Sequence, residues 1–225
     1  MSESINPQVF FDFENIYMGN QFKTDNVFHL LGSPLKDLIK SILDEKGVTD
    51  SPIIKGTVSK HAIIEGAVYI EEGAKVGPTA YIQGPCYISS GAEIRHGAFI
   101  RGNVFVGKNA VVGHTTEVKG SIFFDDAKAG HFAYVGDSIL GRNVNLGAGT
   151  KLANLKLDNQ QVKVKHPETM KRVSSGLRKL GAIMGDGVQT GCNSVLSPGS
   201  LLCPNTGVYP CVHFHGTIKE GIKTK

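Results

Sequence analysis

The stretch Ala129-Gly130-His131-Phe132-Ala133-Tyr134 sets one histidine among small residues. An imidazole near its ordinary pKa of ~6.5 accepts a proton readily at neutral pH, so His131 is a candidate general base. Arg101 and Lys119 stand 18 apart in the sequence, with Arg95 close by. If the chain repeats on that length, the two cations stack. Stacked like charges are destabilising unless an anion lies between them or both reach well into solvent. A phosphate site and a pair of solvated side chains are the two readings. His96 and His114 are also 18 apart, but no third histidine falls at a suitable spacing, so no metal site is expected. His213 and His215 read as tail. The segment Asn145-Leu146-Gly147-Ala148-Gly149-Thr150 is glycine-rich, yet no Gly-Lys-Ser/Thr follows and it does not fit the dinucleotide fingerprint. It is either tight packing at a corner or backbone that a ligand can approach closely.

These residues have to be positioned by a chain of 225 residues that is 40% hydrophobic and 20% charged, ordinary values for a globular protein. Glycine is the exception, with 28 residues against a usual ~7% of a chain and no collagen period. That many glycines in a folding sequence means many turns. No run approaches the ~18–20 apolar residues of a membrane span, and the N-terminus lacks the features of a signal peptide, so a cytoplasmic protein is expected. Cys86, Cys192, Cys203 and Cys211 form no CxxC pair and are read as buried, reduced thiols. The net charge of +4 is spread without a polybasic run, which argues against a nucleic-acid partner and leaves room for a small anionic ligand.

Internal periodicity organises the rest. Val58, Ile64, Ile70, Val76, Ile82, Ile88, Ile94, Ile100, Val106, Val112, Val118 and Phe124 follow one another six apart without a miss. Four positions after most of them stands a small or β-branched residue, such as Ala62, Ala74, Ala80, Ala92, Ala98 or Ala110. Helices repeat at three and four, and ordinary strands alternate by two. A period of six means one short strand plus one turn, with the aliphatic residue inward and the small residue in the corner. Gly73, Gly91, Gly97, Asn103 and Asn109 then supply the positive φ that tight turns require. The fold class is therefore all-β, a parallel β-helix of hexapeptide repeats. The period breaks after Phe124 and resumes displaced at Tyr134, Leu140, Leu146 and Leu152, which predicts an excursion over 125–133 that carries His131 out of the wall. A longer excursion spans 153–183. Breaks in a regular pattern mark candidate functional sites.

The segment 1–50 lies outside the repeat. Ser33-Pro34 reads as a helix start, Leu35, Leu38, Ile39, Ile42 and Leu43 have helical spacing, and Gly47 ends the element. This short helical cap is expected to cover the open first coil, whose edge would otherwise invite aggregation. The expected organisation is a cap over 1–50, a β-helix over 51–212 and a tail over 213–225.

The strings KAGHFAYVGDSILGRNVNLGAGTKLANLKLD and GLRKLGAIMGDGVQTG, within 93–200, resemble the acetyltransferase domain of the bifunctional sugar-1-phosphate nucleotidylyltransferase/amino-sugar-1-phosphate acetyltransferases. The archaeal-type enzymes match best. The resemblance implies a left-handed β-helix with three hexads per coil, a homotrimer with sites between subunits, and transfer of an acetyl group from acetyl-CoA. It implies that His131 is the general base and that Tyr134 helps hold the amino sugar. Arg95 and Lys119 bind the sugar phosphate; Arg101, stacked with Lys119, and Lys163, a catalytically relevant lysine that the archaeal pattern retains, belong to the substrate site. Asn145 and Asn154 position the sugar and the acetyl group. Ala148, Gly191 to Val195 (Ser194 among them) and Lys179 line the coenzyme A site. Two departures stand out. A lysine of the archaeal pattern falls on Gln160, and no nucleotidyl motif occurs within 1–50, so a separate nucleotidyltransferase partner is one expectation. Glucosamine-1-phosphate is the first acceptor to expect. Galactosamine-1-phosphate, a nucleotide-linked sugar and a catalytically silent scaffold are the alternatives.

Overall fold

A computed structural model describes residues 4–223. The sixfold period becomes short strands, each paired in parallel with the strand one turn later: Ile70 with Ile88, Val76 with Ile94, Ile82 with Ile100. Three strands make one coil, and the coils stack into a left-handed parallel β-helix with three walls. The first wall runs from Ile53–Ile54 to Thr217–Ile218, the second from Thr57–Val58 to Ile222–Lys223, and the third from Ile63–Glu65 to His213–Phe214. The aliphatic ladder fills the interior, with Ala74, Ala80, Ala92, Ala98 and Ala110 buried at the corners. Gly73, Gly91, Gly97, Asn103 and Asn109 all take positive φ, as the turns demand.

The break in the period is smaller than the sequence suggests. Phe123, not Phe124, follows Val106 inward; Ala129 and Val135 then follow Val112 and Val118. Each of these pairs is one position closer in the sequence than the pairs of the earlier coils, and so are Phe123 and Leu140. Two successive coils each lose one residue at the corner between the third and first walls. No excursion occurs over 125–133: Lys128–His131 is an ordinary second-wall strand, and Tyr134 points outward beside inward Val135. The shortened coil also supplies the third histidine that a search at the full coil length misses, because His131 pairs directly with His114. His114 in turn stacks on His96 with ring centroids 4.3 Å apart.

The second excursion is real. Leu152 is followed on the first wall by Met184, and Leu146 pairs with Thr190 across it. The inserted segment folds as an antiparallel pair, Lys163–Lys165 against Arg172–Ser174, and buries Val162, Val164 and Val173 on the first wall. Beyond residue 212, His213–Phe214, Thr217–Ile218 and Ile222–Lys223 extend all three walls. The stretch 213–223 therefore continues the column in place of the expected tail, because Phe214 and Ile218 keep the inward ladder apolar.

The N-terminal segment has a different task from the expected one. Helix α1, Ser33–Glu45, starts one residue before the expected first turn, with Gly32 at its N-cap, and ends ahead of Gly47 at positive φ. Its apolar face (Leu35, Ile39, Ile42, Leu43) packs along the first wall, not over the open first coil. The reason lies in the outward row of that wall: Tyr69, Tyr87, Phe105, Ile122, Ile139, Ile183 and Leu201 are all apolar and buried. Phe22 meets Phe105 edge to face at 4.8 Å and Phe124 at 5.1 Å. Two wall carboxylates hold the segment in place. Asp125 accepts from the Tyr17 amide at 2.7 Å, and Asp186 accepts from the Asp12 amide at 3.0 Å. If this wall is a true second core, Phe105→Ala lowers unfolding free energy by about 3–5 kcal/mol, as for a core phenylalanine. Denaturant titration measures it; a loss under about 1 kcal/mol would mean that the segment only drapes over the wall.

Candidate active site

The outward side of the second wall carries polar residues in register. Glu93 pairs with Val111, Val111 with Lys128, and Lys128 with Asn145. Toward the edge with the third wall these rows end in Arg95, His131 and Ala148, and the surface dips into a groove of about 620 Å³ that also exposes Cys192. His131 is exposed on this groove and has no side-chain hydrogen-bond partner among the described residues. The next residue, Phe132, is half exposed and holds φ 35° at a turn where other coils place Thr79, Gly97, Thr115 and Gly149. A bulky residue in that region is strained, and such strain concentrates at functional sites. In the next coil the turn Gly147–Gly149 repeats the groove-lining pattern. The Gly147 amide donates to Thr190 and the Gly149 amide to His131, both through backbone oxygens, while the Ala148 amide donates to no acceptor among the described residues.

A second group faces out from the third wall. Lys119 Nζ donates to both carboxylate oxygens of Asp137, at 3.0 and 3.1 Å. Asn154 Nδ2 donates to the same carboxylate, and Tyr134 Oη donates to Asn154 Oδ1 at 3.4 Å. Burial, then the nearby Glu117 and Asp137 carboxylates, raise the Tyr134 pKa, which keeps this hydroxyl a donor. Space for the network is cleared by two glycines. A Cβ at Gly120 would lie 2.6 Å from Asp137 Oδ1, and one at Gly136 would lie 2.7 Å from Asn154 Nδ2. Asp137 itself is buried at φ 44°, a conformation that an aspartate tolerates better than most residues.

The structure thus divides the expected site residues. Arg95, His131, Asn145 and Ala148 line the groove; Arg101, Lys119, Tyr134 and Asn154 lie on the third wall. The stacked cations are balanced in a way not anticipated, each by its own carboxylate. Arg101 pairs with Glu117 at 2.7 Å, Arg95 with Glu93 at 3.1 Å, and Lys119 with Asp137. A phosphate there has to compete with or rearrange these pairs. Gly191 lies beside a neighbouring depression of about 380 Å³ with Gln189, Tyr209 and Pro210. The Ser194 hydroxyl is turned into the corner, donating to the Gly191 and Tyr209 carbonyls at 2.7 and 3.0 Å. Lys163 and Lys179 are exposed on the inserted segment and do not line the groove. Gln160 is likewise exposed. Among the described residues no group of three or more His, Cys, Asp or Glu side chains has the geometry to hold an ion, the histidine column included.

Sequence reasoning missed Asp137 and Phe132; it placed Cys192 within the Gly191–Val195 stretch but read its thiol as buried, whereas it is exposed. Asp137 was legible only as an acidic residue at a turn position one coil beyond Gly120, once the shortened coil is known. Removing one member of a buried ion pair leaves the other charge uncompensated. Asp137→Ala is expected to cost about 3 kcal/mol in chemical denaturation, and Asp137→Ala with Lys119→Met to recover a large part of it. A double variant whose loss equals the sum of the two single losses would show that the pair is not coupled.

The bifunctional sugar-1-phosphate nucleotidylyltransferase/acetyltransferase of Sulfurisphaera tokodaii is 41% identical over 155 residues, 69% of this chain and 38% of that protein. The bifunctional protein GlmU of Methanocaldococcus jannaschii is 45% identical over 146 residues, 65% of this chain and 35% of that protein. The chain therefore spans well under half the length of the curated relatives it matches. A hexapeptide transferase family protein from Anaplasma phagocytophilum overlaps 75% of both chains at 16% identity, with a TM-score of 0.29. Residues 82–218 match the family described as the GMPPB C-terminal domain, and with more than half of its length inside that match the chain belongs to this family.

Proposed function

We propose that the protein is an acetyl-CoA-dependent N-acetyltransferase whose acceptor is an amino-sugar-1-phosphate, glucosamine-1-phosphate first. The observation that carries this reading is His131, exposed on a groove with Asn145 and the unpaired Ala148 amide. The relatives' names as nucleotidylyltransferase/acetyltransferases and GlmU proteins support the substrate class. His131 takes a proton from the acceptor's ammonium or attacking amine. The nitrogen adds to the thioester carbonyl, and the Ala148 amide, which lines the groove without a protein acceptor among the described residues, is the donor offered to the oxyanion that forms. Collapse of the tetrahedral species expels the coenzyme A thiolate, which leaves with a proton.

The site has two halves on two walls, and this favours a homotrimer in which the groove of one copy is closed by the third-wall cluster of the next. In that arrangement Lys119, Tyr134, Asn154 and Arg101 of one chain meet His131 and Arg95 of another. Lys163 and Lys179, outside the groove of their own chain, would then serve a neighbour's. A cytoplasmic location fits an enzyme of nucleotide-sugar precursors. Among the described residues no helix is long and apolar enough to cross a membrane.

The deciding measurement is thiol release from acetyl-CoA with glucosamine-1-phosphate, galactosamine-1-phosphate and a nucleotide-linked amino sugar offered in turn. Turnover with the first, and loss of kcat by ~10²–10⁴-fold in His131→Ala, is the expected result. Near-parental turnover in that variant removes His131 from the chemistry; no release with any acceptor leaves the silent scaffold. Sedimentation at assay concentration should give three copies, and a monomer with full activity would contradict the shared site.

A further inference from the structure

Two of the four cysteines are not buried, contrary to the expectation from composition: Cys86 and Cys203 lie inside, while Cys192 and Cys211 are exposed. Both exposed thiols stand on the edge between the second and third walls, in adjacent coils. The Cys211 amide donates to the Cys192 carbonyl at 2.9 Å. Backbone dimensions then limit the separation of the two Cα atoms to at most about 6.8 Å, the upper end of the range that a disulfide spans. Lower on the same edge, His114 and Phe132 are joined by the same amide-to-carbonyl bond, at 2.7 Å, and their rings meet edge to face with centroids 6.5 Å apart. Side chains at this pair of positions therefore face each other. Cys192 also lines the groove that carries His131.

From this geometry we propose that Cys192 and Cys211 form a modification site for low-molecular-weight disulfides, closing an intramolecular disulfide across the edge of the groove. The Cys192 thiolate attacks one sulfur of the small disulfide, forming a mixed disulfide and expelling one thiolate. The Cys211 thiolate then attacks the Cys192 sulfur, the protein disulfide forms, and the second small thiolate leaves. The two protons lost by the cysteines end on the two departing thiols. In sum, one external disulfide is reduced to two thiols and one protein dithiol is oxidised. Cys86 and Cys203 do not take part, because burial raises their pKa values and shields them from attack. The consequence for activity rests on the acetyltransferase reading: a bridge at Cys192 narrows the groove beside the Gly191–Val195 stretch that this reading gives to coenzyme A, and a thiol reductant reopens it.

The test incubates the full chain with glutathione disulfide, and in a second arm with the disulfide of coenzyme A, followed by alkylation and intact-mass measurement. The expected product has lost two alkylatable thiols and two hydrogens, and reverts with dithiothreitol. Cys211→Ser should stop at a stable adduct on Cys192. Full alkylation of both cysteines after treatment, or the same intramolecular product from Cys211→Ser, overturns the proposal. Thiol release from acetyl-CoA, measured on the same samples, should fall at least tenfold on oxidation and recover on reduction. If the untreated protein shows no turnover, the acetyltransferase reading has failed, and the mass measurements still decide the thiol pair.

Discussion

Registration between successive coils governs this molecule. Each strand is only a few residues long and would not persist alone; it exists because the strands above and below satisfy its backbone groups. Stacking about 4.8 Å apart forces like positions to lie over like positions. The interior therefore becomes columns of valine, isoleucine and alanine, and each edge becomes a column of turn residues with positive φ. The arrangements described above, from the histidine column to the hydrogen-bonded cysteines of adjacent coils, are by-products of that registration.

The same rule explains what the sequence discloses and what it hides. Inward positions repeat every sixth position, so the fold class and the corner glycines and asparagines are readable from spacing alone. Outward positions repeat only once per coil. Tyr69, Tyr87 and Phe105 recur one to a coil and are masked by the stronger sixfold signal, although each follows Val or Cys and precedes Ile or Val, so that the first-wall strands are apolar on both faces. That pattern of a strand buried on both sides was the available sign that a covering segment would lie along the wall. Likewise, loss of a single residue at a corner shifts the phase by one. Tyr134 is then mistaken for an inward residue and Val135 overlooked, and His131 is separated from His114, the partner it sits beside.

Charge is handled locally. The cations that a stack would bring into conflict are each matched with a carboxylate from the same or the adjacent coil, and the best shielded of these pairs, Lys119 with Asp137, also fixes the Asn154 amide. An ionised carboxylate only accepts hydrogen bonds, so Asn154 must turn its nitrogen toward Asp137 and its oxygen toward Tyr134. One buried acid thereby sets the direction of two further groups, a relation that residue types alone do not reveal because it depends on the shortened coils.

Along the first wall, the amino-terminal segment acts as permanent upholstery. A triangular column with three bare sides could be joined by other copies in many ways, including open-ended sheets of columns. With one side upholstered and bolted down through Asp125 and Asp186, only two remain for lateral contact. The walls left uncovered are those that bear the groove and the Lys119–Asp137 network.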